Sequence, residues 1–368
     1  MTNDRDSRAV ARLAELVSIE TPTGEAAAIS TAQDLINSWI KPVLGADGAR
    51  LNVDGTEHLF WRATESPRVL LLGHLDTVWP KGTTETRPFT LDGDRATGPG
   101  VFDMKAGIVI MAEVVALVAR PQDVAVLLTS DEEIGSPTSR ALIECEAGQV
   151  DAVLVLEPSL DGALKTTRKG GSIYQFEIRG RAAHAGLEPE SGRSALMELA
   201  HVVLEMPRLA DAGRGTTVNP TVATAGTVTN VIPDHAEVKV DVRAWTMDEL
   251  VRVDEALAQI RPVTPDVELT LTGGINRPPM EVELSRDLFA VACRAAQGLQ
   301  HPRPEAVGAG GASDGNFTAA IGTPTLDGLG PIGGGAHAVD EWVSVASVMA
   351  RIDLVASMID ELTVPRQS

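Results

Sequence analysis

The sequence predicts an α/β fold in which a discontinuous domain with a mixed, mostly parallel sheet is interrupted by an inserted ferredoxin-like (βαββαβ) domain. Three observations carry this expectation. Val69 to Leu72, Val124 to Leu128 and Ala152 to Leu156 are short aliphatic runs that end at polar residues, and such runs between turn signals read as buried parallel strands. From Gly170 the pattern becomes strand, helix, strand, strand, helix, strand, the order of a split βαβ unit. After Pro278-Pro279 helix and strand patterns with Gly-rich loops return, and they bring a further histidine, His337. The predicted domains are residues 1–169 with 281–368, and an insertion over 170–280.

Taken in order, Ala9 to Val17 is an amphipathic helix and Thr21-Pro22-Thr23-Gly24 is a turn that opens a second helix, Ala26 to Trp39. The three buried strands follow. Between the first two, Gly98-Pro99-Gly100 leads through Asp103 into the apolar, Ala-rich stretch Ala106 to Ala119, which predicts a loop just before a buried helix. In the insertion, Tyr174, Phe176 and Ile178 alternate with Ile173, Gln175 and Glu177 across one strand, Ser172 to Arg179. Ser194 to Met206 and Met247 to Ile260 read as helices; Thr221 to Val228, Ala236 to Trp245 and Val267 to Leu271 read as strands. Val343 to Leu362 is the closing amphipathic helix.

A chain of 368 residues is long enough for two domains and a large core. No segment approaches the roughly 18 uninterrupted apolar residues of a membrane span, and Met1 to Asp6 has neither a basic nor an apolar leader region. The expectation is a cytoplasmic protein. Cys145 and Cys293 are the only cysteines, with no metal or redox spacing. A formal net charge of −20 argues against nucleic acid and anionic membrane as partners, since both select basic patches. At 3% aromatic residues, recognition by base stacking is disfavoured too.

The polar ends of the predicted strands carry the chemistry. Gly73-His74-Leu75-Asp76, Asp131-Glu132-Glu133 and Glu157-Pro158 stand at three carboxyl ends, which in open α/β sheets line one edge where ligands bind. Asp103 and Gly333-Gly334-Gly335-Ala336-His337 supply a further acid and a second His. A single His or acid at a strand end is an ordinary polar loop residue, and Asp131-Glu132-Glu133 alone reads as an acidic surface loop. Five placements on one edge point instead to divalent metal, which takes His nitrogen and carboxylate oxygen at about 2.0–2.2 Å. Asp76 is placed to set the tautomer of His74. Neighbouring side chains in an extended loop diverge, so one of Glu132 and Glu133 can hold metal while the other serves as general base.

His74-Leu75-Asp76-Thr77-Val78, Gly98 to Lys105, Asp131-Glu132-Glu133-Ile134-Gly135, Glu157-Pro158 and Gly335-Ala336-His337 resemble, in order, the motif set of the dizinc aminoacylase and carboxypeptidase family, glutamate carboxypeptidase-like branch. The resemblance covers nearly the whole chain. It implies a catalytic domain with an inserted dimerisation or lid domain, a homodimer, and two Zn2+ ions, with Co2+ or Mn2+ as alternatives. It implies that Asp103 bridges the metals, that Glu133 and His337 hold one and His74 and Glu157 the other, and that Glu132 is the base. Where many members carry a second acid after the bridging Asp, this chain has Met104.

In the insertion, Arg181-Ala182-Ala183-His184-Ala185-Gly186 resembles the segment whose His reaches the other subunit's oxyanion. Asn230 and Arg243 fall where such members hold the substrate's free carboxylate; without the resemblance Arg243 reads as an exposed strand residue. Lys165 is a further candidate for a substrate carboxylate, and the loop Gly308 to Gly315, with Ser313, for lining the substrate. The implied activity is hydrolysis of an amide bond beside a free α-carboxylate in a small-molecule substrate, an N-acyl amino acid or short peptide. N-acyl amino acid deacylation is the alternative within this chemistry, and a catalytically inactive metal- and peptide-binding homologue is the alternative outside it. A two-metal phosphoesterase is disfavoured by the lack of an Arg or Lys cluster near the motifs.

Overall fold

The computed structural model describes residues 4–365. The chain forms two compact units, the first built from the chain up to Thr167, Glu281–Gly308 and the part from Ser313 on, the second from Arg168–Met280 with Ala309–Ala312.

The first unit is an α/β layer structure. Its six-stranded sheet runs Ala49–Val53, Thr56–Arg62, Val124–Thr129, Val69–His74, Ala152–Val155, Thr325–Leu326. The last four strands are parallel, and the first two form an antiparallel hairpin at one edge. Val69–His74, Val124–Thr129 and Ala152–Val155 are buried at every position, as continuous aliphatic runs require when both faces are covered. The hairpin was not expected from hydrophobic pattern, because its outer strand is exposed or half-buried throughout. Its signal is Asp54-Gly55, both with positive φ, the dipeptide of a tight two-residue turn.

The helix Ala106–Leu117 is apolar on all sides and is buried from Ala106 through Val115, so it runs through the interior rather than over the surface. Gly107 lets it approach the sheet: a Cβ there would lie 2.2 Å from the Leu156 carbonyl oxygen. The one charge on this helix, Glu113, is buried and accepts hydrogen bonds from Arg8 Nε at 3.0 Å and Arg12 Nη1 at 2.8 Å. The first helix, Asp4–Ser18, is thereby tied to the core by charge as well as by Leu13, Leu16 and Val17. No helix among the described residues is long and apolar enough to cross a membrane.

The second unit has the βαββαβ order, with an antiparallel sheet of Thr217–Ala225, His235–Ala244, Gly170–Arg179 and Glu268–Arg277. Tyr174, Phe176 and Ile178 face Val238, Val240 and Val242 across the buried side, where Leu199, Val202, Leu250 and Val253 of the helices Ala195–Leu209 and Met247–Ala258 pack. Two strands depart from their expected ranges: Thr217–Ala225 begins and ends earlier than the expected Thr221 to Val228, in register with His235–Ala244. The last runs from Glu268 to Arg277 rather than ending at Leu271, because its pairing follows Gly170–Arg179 along its length. Gly273 and Gly274 are part of that strand.

Glu113→Ala leaves two guanidinium groups facing an apolar helix, one of them half-buried. We expect it to lower the unfolding free energy of the first unit by about 3–5 kcal/mol. Denaturant titration followed by tryptophan fluorescence checks this, and a change within experimental error would assign Glu113 no structural weight.

Candidate active site

Parallel register brings the polar ends together. His74 is the last residue of its strand and sits opposite Thr129, while Leu72 sits opposite Val155. Glu132 and Glu133 therefore follow one neighbouring strand, and Glu157 the other, at the same edge. Asp103 arrives from the turn Val101–Lys105 that enters the buried helix. His337 arrives on the loop between the short strands Gly333–Gly334 and Trp342–Ser344, with φ in the left-handed region at both Gly335 and His337.

Asp103 is the centre of the arrangement. Its Oδ1 lies 3.2 Å from His74 Nε2 and its Oδ2 lies 3.4 Å from His337 Nε2. Glu157 Oε1 is 3.5 Å from His74 Nε2, and Glu133 Oε2 is 3.2 Å from His337 Nε2. Two sets result, His74/Asp103/Glu157 and Asp103/Glu133/His337, and within each the donor atoms lie within 4.8 Å of one another.

Burial opposes charge on Asp103, but hydrogen bonds from His337 and His74 outweigh it and hold the carboxyl far below its usual range. Burial likewise works against a proton on His74, yet Asp103, Asp76 and Glu157 raise it well above an ordinary imidazole. The hydrogen bond to Asp103 is the main cause that lifts His337 to about 9. Burial raises the Glu133 carboxyl to about 7, and its Oε1 is buried with no hydrogen-bond partner among the described residues. Imidazoles that their carboxylate neighbours hold positive, beside an orphaned buried carboxylate oxygen, describe a place that demands cationic charge. A divalent ion meets that demand with this donor set. The residues fit a metal.

Asp76 acts differently from the expectation. The His74 Nδ1 proton goes to the Asp76 backbone carbonyl at 2.9 Å, and the Asp76 carboxylate is 3.6 Å away. A carbonyl can only accept, so Nδ1 carries the proton and Nε2 is left to bind. The Asp76 carboxylate instead accepts the backbone N–H groups of Glu132 and Glu133, at 3.2 Å each, and the Thr23 hydroxyl at 2.7 Å. It orients the loop that carries the two glutamates. Asp131, the third acid of that run, is buried and accepts from the backbone and hydroxyl groups of Thr138 and Ser139, so it pins the loop from the other side.

Glu341 was missed in the sequence. It is 2% exposed and uses both oxygens: Oε1 accepts from Phe102 N at 2.8 Å and Asp103 N at 3.0 Å, Oε2 from Gly100 N at 2.9 Å and Trp79 Nε1 at 2.8 Å. Burial raises its carboxyl, with the backbone donors pulling the other way. It stands four residues after His337 and holds the backbone of Asp103, tying together two of the loops that meet at the site. The available signal was the pair Asp340-Glu341 ahead of Trp342, which is indistinguishable from a solvated acidic turn.

The other sequence candidates are not among the donors of these two sets. Lys165 is half-buried, its backbone paired with Asp327. Ser313 is buried and donates its hydroxyl to Asp327 at 2.6 Å, so lining a substrate would require that bond to open. His184, Asn230 and Arg243 belong to the second unit. His184 is exposed, and its Nδ1 accepts the N–H groups of Gly186 and Leu187 at 3.1 Å each. Asn230 is exposed, and its carbonyl accepts from Ala185 N. Arg243 is half-buried and pairs with Asp241 through Nε and Nη2. Gly171 leaves room beside its Nη1, where a Cβ would stand 3.0 Å away.

A family profile for peptidase family M20/M25/M40 matches residues 70–361. The chain is 32% identical to carboxypeptidase G2 of a Pseudomonas species over 98% of its own length and 90% of that protein. It is 30% identical to a succinyl-diaminopimelate desuccinylase of Methylococcus capsulatus, over 91% of its own length and 93% of the relative. In fold it is similar to an aminopeptidase of Bacillus cereus (TM-score 0.79, 22% identity, 98% and 99% of the two chains) and to a metallo-carboxypeptidase of Sulfolobus solfataricus (TM-score 0.75, 15% identity, 96% and 99%).

Glu341→Gln presents an amide NH2 to backbone donors that need an acceptor. We expect the fold to persist by far-UV circular dichroism while affinity for divalent metal falls about 10–100-fold, the range for losing an outer partner of a metal ligand. Chelator competition measures it; unchanged affinity would leave Glu341 without a role at the site.

Proposed function

The chain belongs to peptidase family M20/M25/M40, a family of metal-dependent hydrolases, and from that premise we propose that it is a cytoplasmic, homodimeric dizinc carboxypeptidase that cleaves an amide bond beside a free α-carboxylate. The observation that carries this reading is the pairing of Glu132 with Glu133: adjacent carboxylates on one loop, with Glu133 in the cluster around Asp103 and Glu132 next to it on the same backbone, held by Asp76.

Asp103, Glu133 and His337 would hold one ion, and Asp103, His74 and Glu157 the other. Bound ions supply Lewis acidity to the scissile carbonyl. Glu132 takes a proton from the attacking water as its oxygen bonds to the carbonyl carbon. When the carbon–nitrogen bond breaks, Glu132 returns that proton to the leaving amine, so base and acid are one group used twice. His184 is proposed to steady the developing oxyanion in the partner subunit's site. Two backbone donors on its Nδ1 leave Nε2 as the ring's own donor, and a directed N–H is what an oxyanion needs. Arg243 is proposed to take the substrate carboxylate through Nη1, with Asn230 as a second polar contact, and Lys165 and Ser313 are proposed to line the substrate. N-acyl amino acid deacylation is the second reading. Similarity to a desuccinylase at 30% identity favours it.

Metal-reconstituted protein incubated with N-acyl amino acids, dipeptides and glutamate conjugates, with amine release as readout, separates the two readings. Glu132→Gln is expected to keep its metal and lose roughly three or more orders of magnitude in kcat, since it removes both proton transfers. Near wild-type turnover in the metal-loaded variant would remove Glu132 from this role.

Mixing His184→Ala protomers with Glu132→Gln protomers is expected to regenerate part of the activity, because the mixed dimer holds one site with every component intact. Absence of activity in verified mixed dimers would confine His184 to its own chain or to a structural part.

A further inference from the structure

The first unit holds a buried charge that the reaction above does not use. Arg351, on the helix Val345–Leu362, is 7% exposed, and among the described residues its guanidinium makes a single hydrogen bond, from Nη2 to the Gly162 carbonyl oxygen at 2.7 Å. Among the described residues no carboxylate pairs with it. Arg12, half-buried, has the buried Glu113 for a partner; Arg351 has none among the described residues, and burial pushes its guanidinium down to about 10. A desolvated cation without a counter-ion is costly, and an anionic ligand that paired with it would offset that cost.

Arg351 lines a cavity of about 400 Å³, within the span of roughly 300–1,000 Å³ seen for small-molecule sites. Arg303 and His301 stand on its wall beside Ala296, Ile332 and Leu354. Arg303 is exposed and has no ion pair among the described residues. None of His74, Asp103, Glu133, Glu157 or His337 lines this space. Two acids do, Asp161 and Glu305, both exposed. They set the ligand's charge: next to them a doubly charged phosphate is repelled more strongly than a single carboxylate, while the planar guanidinium matches a carboxylate with two parallel N–H bonds. The aliphatic walls call for an apolar body.

We propose that this cavity is a second ligand site, separate from the metal-ligand cluster, which binds a small monocarboxylate with an apolar body through the N–H groups of Arg351 that Gly162 leaves unused. The proposal stands whether or not the reaction assigned above is correct.

Calorimetric titration of the metal-loaded protein with propanoate, 4-methylpentanoate and benzoate tests it, with 4-methylpentanamide and inorganic phosphate as comparators. Wild-type protein is expected to bind 4-methylpentanoate or benzoate more tightly than propanoate and to ignore the amide. Arg351→Met, which keeps the volume and removes the charge, is expected to weaken binding about tenfold or more. Ala350→Phe, which fills the cavity and keeps Arg351, is expected to do the same, and it decides the matter should Arg351→Met fail to fold. Carboxylate that binds at the metals instead is unaffected by either variant, so unchanged affinity in Ala350→Phe overturns the proposal. So does the absence of binding by all three acids, and tighter binding of phosphate overturns the ligand class.

Discussion

Repulsion among carboxylates at one sheet edge is the constraint around which the first unit is arranged. Asp103, Glu133 and Glu157 approach the same two imidazoles, and Asp76 stands just behind. Two like charges about 4 Å apart at an effective dielectric near 20 repel by roughly 4 kcal/mol, so such a cluster persists only when positive charge or directed hydrogen bonds answer every oxygen. The fold supplies both. Backbone N–H groups answer Asp76, the histidines answer both oxygens of Asp103, and one oxygen of Glu133 is left for an incoming cation.

Acids that adjoin in sequence are sorted into different tasks by small differences in where they point. In the run Asp131-Glu132-Glu133, the first is spent on Thr138 and Ser139, and the third joins Asp103 and His337. In Asp340-Glu341, the second carboxylate is drawn inside to serve four donors. The same division separates Asp76's carbonyl, which fixes the His74 ring, from its carboxylate, which holds the glutamate loop. Precision at the site therefore depends on groups that touch neither metal nor substrate.

What could be read in the sequence follows the same line. Buried parallel strands advertise themselves by unbroken aliphatic runs, so Val69–His74, Val124–Thr129 and Ala152–Val155 were legible, and so were the polar residues at their ends. The alternation in Gly170–Arg179 likewise gave away the second unit. The hairpin Ala49–Arg62 was not legible by pattern, because its edge position removes the apolar face that a pattern search needs, although Asp54-Gly55 marked it. Glu341 and the part played by Asp76's carbonyl were out of reach for another reason. Both act through the backbone, and a backbone donor or acceptor leaves no trace in residue type. The buried solitude of Arg351 was equally invisible, since whether a charge has a partner is a property of folded space.

The discontinuity of the first unit has a consequence for synthesis. His74, Asp103, Glu133 and Glu157 all precede the inserted unit in the chain, and His337 with its neighbour Glu341 follows it. A growing polypeptide thus carries most of a cation-demanding cluster, without its second imidazole, throughout the time in which the inserted unit is made and can fold on its own local contacts. A fragment that stops anywhere before the last segment lacks both His337 and the Glu341 clamp on Asp103. The order of the segments withholds the complete His and carboxylate cluster from any product that stops short of His337.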